Sequence, residues 1–267
     1  MKRRTAFWAI ACLTSITVGT LSGCEQATPP TATTTPSTTK VLTMVTSPDY
    51  PPYEFYDTSS GSKEIVGFDV DIAKYIAKEL GFELKINETN FDGLIPAIQA
   101  KKADFVMAGM TPTPERTKSV DFSILYYDAK DTILSLKGKN LTKAEQLSGL
   151  KVGVQLGSIQ EGNLKEILKK VKNIQIVSLN KIPEIIQEVK SKRLDAAIIE
   201  DTVATGFKAS NPDVEFNVLP SEGASGAAVA FPKGSANVED FNKVLKKMKE
   251  SGEIDKLATK WFGQANK

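Results

Sequence analysis

The chain contains no histidine, and its only two cysteines are Cys12 and Cys24, both close to the N-terminus. Without imidazole, Ser-His-Asp chemistry and most zinc sites are excluded. Excess charge of either sign is also missing: 34 Lys and Arg stand against 32 Asp and Glu, with no basic stripe interleaved with aromatics. Nucleic acid is therefore not an expected partner. Nothing in the sequence signals a cofactor.

A long apolar run is absent as well. Ala6 to Val18 is apolar but diluted by threonine and serine, and it is shorter than the roughly 20 residues a spanning helix needs. Preceded by Lys2-Arg3-Arg4, it reads as a secretory signal. The run ends at Leu21-Ser22-Gly23-Cys24, which resembles the bacterial lipobox and implies cleavage before a lipidated Cys24. Residues 1–23 are thus expected to be a lipoprotein signal peptide. Its removal takes Cys12 away and leaves no partner for a disulfide. Residues 24–40 are rich in threonine and proline with almost no apolar bulk, the composition of a semi-extended tether. An acyl chain plus a tether predicts a globular domain held near a membrane surface from outside the cytoplasm.

What remains, from residue 41 onward, alternates strand-like apolar runs with helical patterns. Strands are predicted at Val41–Val45, Glu83–Ile86, Phe105–Ala108, Ile133–Leu136, Val152–Val154, Ile174–Val177, Ala196–Ile199 and Ala227–Phe231. Helices are predicted at Phe68–Leu80, Leu94–Ala100, Ile159–Val171, Pro183–Ser191, Thr202–Ala209, Val238–Glu250 and Ile254–Phe262. Such alternation argues α/β with mostly parallel sheets. Two segments echo each other: LIPAIQAKKADFVMAGM from Leu94 and KIPEIIQEVKSKRLDAAIIED from Lys181. Each reads Ile-Pro, amphipathic helix, basic cluster, Asp, apolar strand, and two copies suggest two similar lobes. Ligands of open α/β sheets sit beyond the carboxyl ends of the strands, which here are Gly109–Arg116 and Glu200.

The segment GFDVDIAKYIAKEL, Gly67 to Leu80, is similar to the signature of the bacterial solute-binding proteins for polar amino acids, the receptors of ABC importers. SPDYPPYEF before it, and NFDGLIPAIQAKKAD, MTPTPERTKSVDFS, GVQLGSIQE, LDAAIIEDTVA and ATKWFG after it, stand in the matching order. The resemblance implies a two-lobed periplasmic-binding-protein fold of type II, with two crossover hinge strands and a cleft between the lobes. Lobe 1 is then expected at 41–128 and 224–267 and lobe 2 at 133–219, with hinges near Tyr127–Ile133 and Leu219–Ala227. Asp69 and Asp71, in the first turn of their helix, are expected to cap open N–H groups.

A buried zwitterion needs both its charges paired, and arginine grips a carboxylate bidentately where lysine does not. The resemblance assigns the substrate carboxylate to Arg116, after the T-x-T-x-x-R step. It puts the hydroxyl of Thr111 nearby and lets the Gly109 backbone accept from the ammonium. Ser158 is expected to cap the helix from Ile159, whose first turn offers an anion seat, although a family threonine commonly stands where Ile159 is. Gln155 is placed to reach the substrate side chain. Glu200 stands where relatives usually carry the ammonium-binding aspartate, and Asp201 is expected to cap the following helix. Tyr50 and Phe91 occupy the positions whose rings sandwich the ligand, with Tyr53 as core support.

The expected ligand is a free amino acid, arginine or lysine first and glutamine next. Ser47 replaces the aspartate that basic-amino-acid receptors often carry, and Asp49, Glu54 and Asp128 are the acids near enough to serve instead. The expected partners are the permease and ATPase subunits of the importer and, through its lipid, the membrane; the protein itself is expected to be a monomer. The alternative is a cyclohexadienyl (arogenate or prephenate) dehydratase-like enzyme on the same scaffold, with Glu200 as general acid. A sensor feeding a kinase or channel is disfavoured, because neither a transmembrane helix nor an output domain is expected.

Overall fold

The structure, a computed structural model, describes residues 39–58, 61, 63–220 and 225–263. The expected signal peptide, Cys24 and nearly all of the expected tether lie outside the described residues.

The chain first lays down β1 (Val41–Thr46), β2 (Asp49–Tyr50), β3 (Glu54–Asp57), β4 (Glu64–Val66), α1 (Phe68–Leu80), β5 (Glu83–Glu88), α2 (Leu94–Gln99), β6 (Phe105–Val106) and β7 (Val120–Phe122). It then crosses to β8 (Asp131–Leu136), β9 (Lys151–Gln155), α3 (Ile159–Lys170), β10 (Gln175–Leu179), α4 (Ile182–Lys190), β11 (Ala196–Glu200), α5 (Asp201–Ser210) and β12 (Val214–Val218). Finally it returns with β13 (Ala230–Pro232), α6 (Asn237–Glu250) and α7 (Glu253–Phe262).

Two five-stranded sheets result, ordered β5-β1-β6-β13-β7 and β10-β9-β11-β8-β12. In each sheet the first three strands and the last run parallel, and only the fourth, β13 or β8, runs antiparallel to them. The two sheets therefore share one plan, as the internal echo suggests: β6 and β11 are matching strands, and α2 and α4 are the matching Ile-Pro helices. The expectation of mostly parallel sheets holds: four of the five strands in each sheet run the same way. The one reversed strand in each is β8 or β13, by which the chain enters a lobe after crossing, and both enter from the cleft side. The crossing segments lie side by side, with a bridge between Tyr127 and Ala227 and a Leu219 N–H to Asp131 carbonyl bond of 2.8 Å.

Burial explains the strand at the centre of the second lobe. All five residues of β11 are buried, as a strand covered on both faces requires, so its terminal Glu200 is carried out of the apolar layer into the cleft floor. In the first lobe, Phe231 and Phe105 pack edge-on to Phe241 of α6, each 5.0 Å between ring centroids, a favoured aromatic geometry.

Helix α1 turns Phe68, Ile72, Ala73 and Ile76 into this core at helical spacing. Its expected caps are corrected: neither Asp69 nor Asp71 caps it, and its N-terminus has no side-chain cap bond. The carbonyls of Pro52 and Tyr53 take the Phe68 and Asp69 N–H groups instead, each at 3.0 Å. That approach is possible because residue 67 is glycine. Its φ is +136°, and a Cβ there would lie 2.1 Å from the Tyr53 carbonyl oxygen. Freed from capping, Asp71 accepts from Lys260 Nζ at 2.6 Å and Trp261 Nε1 at 2.8 Å, fastening α7 to α1. Gly67→Ala should therefore cost about 1–3 kcal/mol, read as a lowered denaturant midpoint; an unchanged midpoint would show that this backbone contact carries no weight.

Candidate ligand-binding site

The cleft between the sheets narrows to a small cavity lined by Tyr50, Phe91, Ala108, Gly109, Thr111, Arg116, Gln155, Ser158, Ile159, Gln160 and Glu200. Nine of the sequence-predicted site residues are among these; the three candidate acids Asp49, Glu54 and Asp128 are not. Ala108 and Gln160 were not anticipated.

The loop after β6 explains its own threonines. Thr113 Oγ1 accepts the Arg116 N–H at 3.1 Å, closing the turn that presents the arginine. The Thr111 carbonyl then accepts from Arg116 Nη1 at 2.7 Å and fixes the guanidinium, which lies 5.3 Å from the Phe91 ring centroid. The other terminal nitrogen, Nη2, donates across the cleft to the Gly157 carbonyl at 3.0 Å. Among the described residues no carboxylate pairs with Arg116. Burial without an anion draws its pKa down to about 10.

The second pole lies on the other lobe. The Tyr53 hydroxyl donates to Glu200 Oε1, Thr202 Oγ1 donates to the same oxygen at 2.9 Å, and the Tyr50 hydroxyl reaches Oε2 at 3.4 Å. Burial pushes the carboxyl up to about 8 despite the Tyr53 and Thr202 hydroxyls. Tyr53 is fully buried and stacked on Tyr50, with ring centroids 5.6 Å apart, so it supports the core as expected and also braces Glu200. The two neighbouring acids divide their work. Helix α5 begins at Asp201 rather than Thr202, and Asp201 Oδ1 accepts the Thr202 N–H at 2.9 Å and the Lys130 N–H of the crossing segment at 3.1 Å.

Ser158 is the N-cap of α3: its hydroxyl accepts the Glu161 N–H at 3.1 Å. The N–H groups of Ile159 and Gln160 have no acceptor within the helix and belong to residues of the cavity wall. Gln160 Nε2 and Asn163 Nδ2 both donate to Asp131 at 2.8 Å, holding α3 against the start of β8. Only residue-to-residue contact reveals that clamp; no local pattern marks it.

Beneath the loop lies a second set of acids. Asp69 Oδ2 accepts the Gly109 N–H at 2.8 Å, and both Asp69 oxygens stand 2.8 Å from the Tyr126 hydroxyl. The Gly109 carbonyl is thus the group its backbone has left for a ligand. Burial raises Asp69 to about 7 against those donors. Glu54 is wholly buried, and among the described residues no N–H or hydroxyl reaches its oxygens; burial and the charge of Asp69, against which its carboxyl is hydrogen-bonded, push it well above the usual range. Its place is therefore below the cavity, next to Asp69. Asp128 is exposed, and Asp49, not on the cavity wall, is bound to Ser47, Gln155 and Ile182.

Two like-built α/β lobes joined by adjacent crossing segments around a polar cleft define a solute-binding protein. The chain belongs to the bacterial extracellular solute-binding proteins, family 3, whose model matches residues 42–264. It is 46% identical over 225 residues to the arginine-binding extracellular protein ArtP of Bacillus subtilis, covering 84% of this chain and 86% of that one. The structure is similar to the amino acid ABC transporter substrate-binding protein AbpA of Streptococcus pneumoniae bound to L-arginine, with TM-score 0.79, 39% identity and coverage of 83% and 94%. It is also similar to an ancestral arginine-binding protein bound to arginine, with TM-score 0.78, 39% identity and coverage of 84% and 98%.

The raised acids set a pH dependence. Glu200, Asp69 and Glu54 hold protons in the native state that the unfolded chain gives up near pH 4 to 5, so the native state binds more protons and stability falls as pH rises. Histidine, which would titrate in the same interval, is absent. The ligand-free protein should lose stability on the order of 2–5 kcal/mol between about pH 5 and pH 8, and Glu200→Gln should flatten part of that slope. Thermal melts that are level or rising across this interval would refute the assignment.

Proposed function

We propose that this protein is the extracytoplasmic substrate-binding lipoprotein of an ABC importer, binding a free polar amino acid, arginine before lysine or glutamine. The supporting observation is the placement of Arg116 and Glu200 on opposite lobes of one cavity, neither paired with an opposite charge among the described residues. An amino acid brings a carboxylate for the first and an ammonium for the second. Glu200 would ionise on meeting the ammonium, as an adjacent cation favours the charged form. Tyr50 and Phe91 offer rings to the ligand stem, Thr111 and Ser158 hydroxyls to its carboxylate, and Gly109 a carbonyl to its ammonium. Arginine is placed first because ArtP is named for it and both of the similar structures are bound to it.

The mechanism is closure. Arg116 to Gly157 and Tyr53 to Glu200 are contacts between lobes, so an arrangement that makes them also encloses the ligand, and ligand shifts the population towards it. A permease would read the closed surface and its ATPase would drive release. Cys24, acylated after loss of residues 1–23, would hold the domain at the membrane through residues 24–40.

Arg116→Ala leaves a buried carboxylate unpaired, a loss of about 2–5 kcal/mol, or roughly 30- to 4,000-fold in affinity. Calorimetry with arginine measures it, and a loss under threefold would take Arg116 out of the site. Turnover of prephenate or arogenate in place of stable amino-acid binding would instead make Glu200 the acid of an enzyme.

A further inference from the structure

Gln155 is the cavity residue whose chemistry the sequence leaves ambiguous, since a side-chain amide offers both donors and an acceptor. The structure removes half of that choice. Its Nε2 donates to Asp49 Oδ2 at 3.1 Å and to the Asn180 carbonyl at 3.3 Å. Asn180 contributes a backbone carbonyl, which only accepts. Asp49 Oδ2 also accepts the Ile182 N–H at 2.9 Å, and Oδ1 accepts from Ser47 Oγ at 2.5 Å. Both amide hydrogens of Gln155 are therefore committed away from the cavity, and turning the amide over would set its oxygen against two acceptors. Only the carbonyl oxygen is left for a ligand.

Asp49 is the residue that makes this binding. It sits on β2 of the first lobe, while Gln155 ends β9 and Ile182 opens α4 in the second. Helix α4 has no cap of its own, its preceding residue being Lys181, and Asp49 serves it from across the cleft.

We propose that Asp49 is a specificity-determining positioning residue: by locking the Gln155 amide it makes the cavity present an acceptor to the end of the substrate side chain, admitting a guanidinium, ammonium or carboxamide and rejecting a carboxylate. The inference rests on the amino-acid-binding reading above and assigns the substrate class within it. A site built around a fixed hydrogen-bonding group discriminates strongly, because the wrong partner leaves buried polar groups unpaired.

The test is the ratio of arginine to glutamate affinity, measured by calorimetry on the full folded domain. Asp49→Ala frees the Gln155 amide to turn its N–H groups inward, and the ratio should fall by about tenfold or more. Asp49→Asn keeps an oxygen for Gln155 and Ile182, turns its amide nitrogen to Ser47 Oγ, and removes only the charge; it should keep most of the preference. Gln155→Met, which deletes the acceptor without touching Asp49, should lower the ratio as Asp49→Ala does. It also stands in for Asp49→Ala if that variant fails to fold.

Three results overturn the proposal. An equal loss for both ligands in Asp49→Ala would make Asp49 a mere bridge between lobes. Equal falls of the ratio in Asp49→Ala and Asp49→Asn would assign the effect to charge. An unsubstituted protein that binds none of the twenty amino acids would remove the functional reading itself, and this inference with it.

Discussion

The desolvation of two opposite poles on facing lobes is the constraint around which the rest of the molecule is arranged. Arg116 and Glu200 are each taken out of water and given neutral partners only: carbonyls for the guanidinium, hydroxyls for the carboxyl. An ion pair between them would have satisfied both at once and left nothing for a ligand. Neutral dipoles soften the cost of burial without cancelling the charge. The shifts in pKa, down for Arg116 and up for Glu200, record the electrostatic demand left unmet. A zwitterion of the right length meets both demands in one step.

Holding those poles in place requires rigidity on each side, and the first lobe obtains it from acids that are not on the cavity wall. Asp69 leaves the end of α1 uncapped to grip the Gly109 N–H, and the Tyr126 hydroxyl grips Asp69 in turn. The loop from Gly109 to Arg116 is thereby fastened to α1 at one end and to its own threonines at the other. Asp71, two residues on, fastens α7. The GFDVDI segment is thus a junction joining the binding loop, the crossing segment and the C-terminal helix. Gly67 makes the junction possible, since any side chain there would push away the carbonyls that replace the missing caps.

Much of this was legible in the sequence where the information is local. The spacing of Thr111, Thr113 and Arg116 marks a turn built to present a guanidinium. The apolar run Ala196–Ile199 ending in an acid marks a central strand with a pole at its carboxyl end, and Ser158 before a helical pattern marks a cap. What was not legible depends on partners distant in the chain. Strand–helix alternation marks the mostly parallel sheets, but periodicity carries no strand direction, so the single reversed strand of each could not be read from it, and β2, β3, β4, β7 and β12 are too short or too polar to stand out. Asp69 looks like a cap because first-turn acids usually favour that end of a helix. Its true partners, Gly109 and Tyr126, lie forty and fifty-seven residues away. Glu54 reads as a polar surface residue until the fold closes over it, and Asp49 caps a helix 133 residues further on.

The same neutral partners bear on how the lobes move. The polar links across the cleft are Arg116 to Gly157, Tyr50 and Tyr53 to Glu200, and Asp49 to Gln155 and Ile182. A hydrogen bond of this kind is worth only about 0.5–1.5 kcal/mol net, and one to a charged group about 1.5–3 kcal/mol. In the ligand-free protein much of that gain is set against the burial of Arg116 and Glu200 themselves. Closure without ligand is therefore near balance. A ligand that pairs both charges removes the burial cost while leaving every cross-cleft bond but the Arg116–Gly157 contact free to persist. Affinity and closure then arise from one event, and selectivity for the side chain enters through Gln155, whose acceptor oxygen is available only while Asp49 holds the amide across the closed cleft.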